Sequence, residues 1–459
     1  MSIISSYIVP HPPMILKEIG KGNEKQIKTT SDSYEIVAKE IKEANPETII
    51  IISPHTNLYM DGFYIMPNKQ MHGNFGFFNA SDISFEEEND ILLVEKIKEI
   101  CKRKKVKCIS QDESLLDHGT MVPLYFIRKY FQCKIVVIGL SELSSYDHYK
   151  FGTIIKSAVE EINRKVIIVA SGDLSHKLQE YGPYGYIKEG PIYDEKICSI
   201  MKNTNFNEFI EFDKEILSKA AECGHRSFTI MSGTFDGIDV KSIFLSHEDI
   251  TGVGYAVCKF YPLAENINRK FGESYLNKIK KELKERYMIN DSYINIAKQT
   301  IFSYIKENKI IDIPENIESE LLDRKTGVFV SIYKFGRLRG CIGTFIPRED
   351  SIACEIRTNA IAAATQDHRF EKIDSDELDY LEINVDVLTT PEEISSLDEL
   401  DPKKYGVIVT SGLKKGLLLP DLYGVDTVDQ QINIELSKGN INKGENYEIF
   451  RFEVDRHKM

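Results

Sequence analysis

Along the first ~260 residues, short β-branched apolar runs alternate with longer stretches whose apolar positions recur at helical spacing. The strand-like runs are 2–9, 48–53, 134–139, 165–170, 241–245 and 254–260. Helical spacing holds near 24–45, 90–105, 146–163, 193–202 and 212–222. Runs such as TIIIIS and KVIIVAS are apolar at successive positions. Both faces of such a strand must be covered, as when helices flank a sheet on either side. The alternation predicts an α/β N-terminal domain with a central, mostly parallel sheet flanked by helices.

From residue 262 the texture changes. The stretch NRKFGESYLNKIKKELKERYMINDS is highly charged with a helical pattern, and reads as a connector over 262–290. A second unit follows over 291–459. It opens with a helix at 293–308, then GVFVSIYKFGRLRGCIGTF, a strand pair around a glycine-containing turn. A helix at 351–365 precedes the strand-like LEINVDVLT, YGVIVTSG and KKGLLLP. That order predicts a separate α+β domain. A chain of 459 residues exceeds what one core usually serves, which agrees with domains at 1–261 and 291–459.

Composition narrows the function classes. A formal charge of -13 argues against a nucleic-acid partner, which calls for a basic face. The start, MSIISSYIVPHPP, lacks the basic and long apolar parts of a signal peptide. No apolar run approaches the ~20 residues of a membrane span, so no membrane partner is expected. Eight cysteines without a CxxC pair read as reduced thiols and place the protein in the cytoplasm.

Histidines at 11, 55, 72, 118, 148, 176 and 225 all fall in the first domain. Three follow the carboxyl end of a strand-like run. The first run leads into Val9-Pro10-His11-Pro12-Pro13, the second into Pro54-His55-Thr56, and KVIIVA into Ser171-Gly172-Asp173-Leu174-Ser175-His176. That sheet edge is where ligands bind in open α/β folds. One such histidine is ordinarily a hydrogen-bonded loop residue; three, with DHGT nearby, point to a metal or catalytic site. Two histidines and a carboxylate leave positions open on Fe(II), the favoured divalent metal, for a small-molecule substrate and oxygen. In Ala221-Glu222-Cys223-Gly224-His225, Glu222 completes an iron-type set, whereas Cys223 gives a softer site for zinc or copper. Glu222 also reads as a solvated helix-end carboxylate. His176 suits a proton acceptor, since an imidazole titrates near neutrality. Asp173 either orients a histidine or caps a following helix.

PHPP, SPH, LDHGTMVPL and SGDLSH, in this order, resemble the class III extradiol ring-cleaving dioxygenases (LigB-like) and their Memo-type relatives, over about 1–260. The resemblance implies iron ligands at His11, His55 and Glu222, an active-site base at His176 and a second pocket histidine at His118. In the Memo-type branch the third ligand is a cysteine, here Cys223. It also implies an enediol or catechol-like substrate. Zinc-type hydrolysis and a metal-binding scaffold without ring cleavage stand as the alternatives.

In the second unit, LRGCIG, DHRF, LEINVDVLT, GLLLP and YEIFRFEV resemble the AMMECR domain over about 291–459. The fusion is similar to the AmmeMemoRadiSam group, which implies a radical-SAM protein as partner. Read from the residues, LRGCIG is either a groove presenting Arg339 and Cys341 or a strand pair packed through its glycines. A nucleophilic Cys341 needs a base, and His368 is the local candidate.

Overall fold

The computed structural model describes residues 2–288, 291–422, 424–442 and 444–459. The chain forms two compact units, one up to Leu276 and one from Asn277 onward.

The first unit is built on a six-stranded sheet. Its strands are β1 (Ile3–Val9), β2 (Thr48–Ile52), β5 (Lys134–Ile138), β6 (Val166–Ser171), β7 (Ile238–Glu248) and β8 (Tyr255–Glu265). A hairpin of β3 (Gln70–Phe75) and β4 (Ala80–Glu88) stands outside it. The spatial order is β5-β2-β6-β1-β8-β7. The first four strands run parallel, in register Ile49↔Ile135, Ile49↔Ile167 and Tyr7↔Val169. β8 and β7 join antiparallel. The expectation of a mostly parallel sheet thus holds for four strands of six. The last pair is linked by only a few residues, too few for the crossover that a parallel return requires.

Side chains alternate across the parallel strands, and both faces are buried. Ile50 and Ile52 join one core, beneath α2 (Ile91–Arg103), α4 (Ser145–Glu161), α5 (Glu189–Asn203) and α7 (His225–Gly233). Ile49 and Ile51 join the other, beneath α1 (Lys28–Ala44), α3 (His118–Ile127) and the hairpin. A short helix, α6 (Lys214–Ala220), ends on Ala221 at φ 53°, a left-handed residue that turns the chain toward Cys223. The segment expected as a connector begins inside this unit: Pro262 still pairs with Val240 in the sheet. It continues as α8 (Phe271–Arg286), within which the division between units falls.

The second unit opens with α9 (Ser292–Glu307), then β9 (Val328–Lys334) and β10 (Arg337–Thr344), an antiparallel pair turning at Phe335-Gly336, both at positive φ. With β11 (Leu381–Leu388) and β15 (Val454–His457) they form a sheet of order β10-β9-β11-β15, backed by α10 (Ile352–Thr365). A second antiparallel sheet holds β12 (Gly406–Ser411), β13 (Lys414–Leu418) and β14 (Glu448–Phe452), against α11 (Val428–Lys438). No described helix is long and apolar enough to cross a membrane.

Candidate metal centre

The parallel strands deliver their carboxyl ends to one edge. His11 follows β1, His55 follows β2, and the segment 172–176 follows β6. α3 brings His118 to the same place as its first residue, with Asp117 as N-cap accepting from the Thr120 N–H. The His55 and His118 rings stack with centroids 4.1 Å apart, and His11 lies edge-on to both, at 4.7 and 5.4 Å. Ligand atoms of His11, His55 and His118 lie within 4.8 Å of one another, as do those of His11, Asp173 and Cys223. His11 belongs to both groups.

Hydrogen bonding fixes how His11 is used. The Ser171 hydroxyl donates to the Gly119 carbonyl at 2.6 Å, so its oxygen accepts from His11 Nδ1–H at 2.8 Å. Nε2 then carries the lone pair. It faces His55 Nε2 at 2.9 Å and Cys223 Sγ at 3.5 Å. Two nitrogens sharing one ion at about 2.1 Å each lie no more than about 4.2 Å apart, so this pair fits a common metal. Below them, Asp173 accepts the His11 backbone N–H at 2.8 Å and donates its own N–H to Cys223 Sγ at 3.3 Å. No helix follows Asp173, so the capping alternative falls; its carboxylate holds the turn at His11.

Burial sets the charge states. It pushes His11 well below the usual imidazole range, reinforced by His55, His118 and His176. Burial, then the neighbouring His55, carries His118 and His176 each down to about 4. All three rings are therefore neutral near pH 7, the form that binds metals or accepts protons. His176 Nε2 is buried without a hydrogen-bond partner, and its ring stacks on Tyr184 at 5.1 Å. Burial pushes Asp173 up to about 7, and pushes the Cys223 thiol up as well, so a metal taking Cys223 must displace its proton.

The structure does not bring Glu222 into either ligand group. Its carboxylate accepts the His225 backbone N–H at 2.5 Å, at the start of α7, and burial raises it to about 7. Of the two adjacent candidates, the thiol is the one beside His11. His148 and His225 are buried structural residues bonded to the Ser144 and Phe209 carbonyls. Ser171, which sets the His11 tautomer, is marked in the sequence only by a hydroxyl ending an apolar strand. Phe78, packed 5.6 Å from His118, left no local signal beyond an aromatic in a polar stretch.

In the second unit, Arg339 is bonded through two nitrogens to Glu377, at 2.8 and 3.0 Å, and also to the Glu371 carbonyl. Cys341 is held by Asp367, Arg369 and Ser331, and burial raises its thiol. His368 is exposed; its neighbours Asp367 and Arg369 bond the Cys341 backbone, and Ser331 bonds the thiol. Gly340 packs where an added Cβ would lie 2.2 Å from the Ala363 carbonyl, and at Gly343 it would lie 2.2 Å from Phe329. LRGCIG is here a close-packed strand.

Residues 5–258 match the family model described as the catalytic LigB subunit of aromatic ring-opening dioxygenase. The chain belongs to the LigB family. Residues 294–457 match AMMECR1, so this LigB protein carries an AMMECR1 domain fused behind its first unit. A Clostridium acetobutylicum protein is 42% identical over the full length of both chains. One from Thermotoga maritima is 48% identical over 36% of this chain and 97% of its own. Solved structures of uncharacterised proteins align with parts of the LigB–AMMECR1 chain. One from Pyrococcus horikoshii is 28% identical, at TM-score 0.34 over 36% of this chain and 88% of its own. One from Escherichia coli is 14% identical, at TM-score 0.41 over 56% and 99%.

Proposed function

We propose that the first unit holds one divalent metal on His11, His55 and Cys223, and uses it on a small enediol or catechol-like molecule in a dioxygenase-type reaction. The observation carrying this reading is the unprotonated His11 Nε2, which meets His55 Nε2 at 2.9 Å and the Cys223 sulfur at 3.5 Å. Such a metal, Fe(II) in this reading, supplies Lewis acidity and open positions for substrate and oxygen.

The chain's own residues do the rest. Ser171 holds His11 in the tautomer that leaves Nε2 available. His176, neutral and with a partnerless buried Nε2, accepts a proton from the substrate hydroxyl. His118 stands beside His55 as a second group able to pass a proton. Phe78 and Tyr184 pack against the His118 and His176 rings.

A second reading has one observation in its favour. Cys223 rather than Glu222 lies beside His11, and a thiolate favours zinc or copper, hence hydrolytic chemistry or metal holding without ring cleavage. Metal analysis of anaerobically purified protein, then oxygen uptake across a catechol panel, separates the two. Iron with uptake supports the first; zinc without uptake supports the second. A radical-SAM protein as partner, and a cytoplasmic setting for the eight free thiols, belong to the same proposal.

A further inference from the structure

The segment Asp173–His176 carries two groups of the site, and its fastening is unusually complete. Asp173 N–H reaches Cys223 Sγ, Leu174 N–H the Gly254 carbonyl at 2.8 Å, and His176 N–H the Ala220 carbonyl at 3.2 Å. The Ser175 carbonyl accepts from Gly254 N–H at 2.8 Å, and its hydroxyl donates to the Ala220 carbonyl at 2.9 Å. The Ser175 N–H alone is given a charged partner: Asp194 on α5, at 2.9 Å.

Asp194 is 3% exposed, and its other oxygen meets His247 Nε2 of β7 at 2.7 Å. Burial holds this carboxyl above its usual range, despite the pull of His247 and the Ser175 N–H. The contact gives direction: the buried Asp194 carboxyl, bonded to His247 through one oxygen, aims the other at one peptide of the segment. Gly254 completes the arrangement, because an added Cβ would lie 2.0 Å from the outer Asp194 oxygen.

We infer that Asp194 and His247 are positioning residues, a dyad outside the metal centre that fixes the Asp173–His176 segment and through it the placement of Cys223 and His176. The metal arm of this inference rests on the proposed function. Its structural arm does not.

The test uses the full-length protein with Co(II) as probe, and amide hydrogen exchange on the metal-free form. In Asp194→Ala and Gly254→Ala, exchange at 174–176 rises at least about tenfold over the rest of the sheet. Co(II) affinity falls about 10–100-fold, the range for loss of an outer ligand-orienting partner. His247→Gln keeps a donor to Asp194 and stays near wild type, whereas His247→Ala behaves as Asp194→Ala. A merely structural pair would instead lower the melting temperature and leave local exchange and affinity unmoved, and that result overturns the inference. Should the wild type bind no Co(II), the proposed function fails, and exchange at 174–176 alone decides the dyad's role.

Discussion

Adjacent residues with opposite fates mark the residue scale. Glu222 and Cys223 follow a left-handed Ala221, and that single backbone conformation decides which side chain meets His11. The account therefore expects Cys223→Ala to lose most bound metal, while Glu222→Gln retains it. Metal content after gel filtration reads both, and the opposite pattern would make Glu222 the ligand. A second residue-scale prediction concerns Glu435 on α11. Its side chain is wholly buried, with Lys438 3.2 Å away but no hydrogen bond to either oxygen. Burial raises it to about 7 from an ordinary 4.5. A carboxyl whose folded value is raised favours the folded state below the unfolded value and opposes it as pH climbs through the folded one. Stability thus falls between about pH 4.5 and 7, by up to about 3 kcal/mol. Glu435→Gln should raise the melting temperature at pH 8, leave it unchanged at pH 4.5, and flatten the profile between. A profile identical to wild type would show that Glu435 is solvated.

At the scale of elements, the buried strands were legible because covered strands leave an unbroken apolar run. The sequence alone puts His11, His55 and His176 just beyond their ends. The hairpin of β3 and β4 was not legible. QMHGNF alternates weakly and β4 ends in three glutamates, so neither reads as a strand. Nor does a local run encode direction, which is why the antiparallel β7–β8 pair emerges only from the short link between them. Which of Glu222 and Cys223 lies beside His11 was invisible for a related reason: it depends on α6 ending in a particular turn. LRGCIG gives the converse case, a motif whose close packing explains its glycines. Gly340→Ala pushes β10 from α10 and should cost about 1–3 kcal/mol. Denaturant unfolding measures this; a change under 0.5 kcal/mol would mean that β10 shifts freely.

For the whole molecule, each unit has its own cores and should fold alone. The boundary at 261 cuts inside a strand and removes Arg269, which donates to the Ile238 and Thr204 carbonyls, and Phe271, which packs on the first core. Residues 1–276 should therefore unfold cooperatively and at a higher temperature than residues 1–261. Equal melting temperatures would show that 262–276 adds nothing to the first unit.

The central claim, a metal centre with a separate proton acceptor, is tested most directly by metal content in two variants purified anaerobically. His11 supplies an unprotonated Nε2 shared by both ligand groups, whereas His176 stands outside them with an unpartnered nitrogen. His11→Ala should lose the metal, and His176→Ala should keep it at close to one equivalent. With any accepted substrate, His176→Ala should turn over about 10²–10⁴-fold more slowly. If His176→Ala loses metal as fully as His11→Ala, His176 is a ligand and the dioxygenase reading is contradicted.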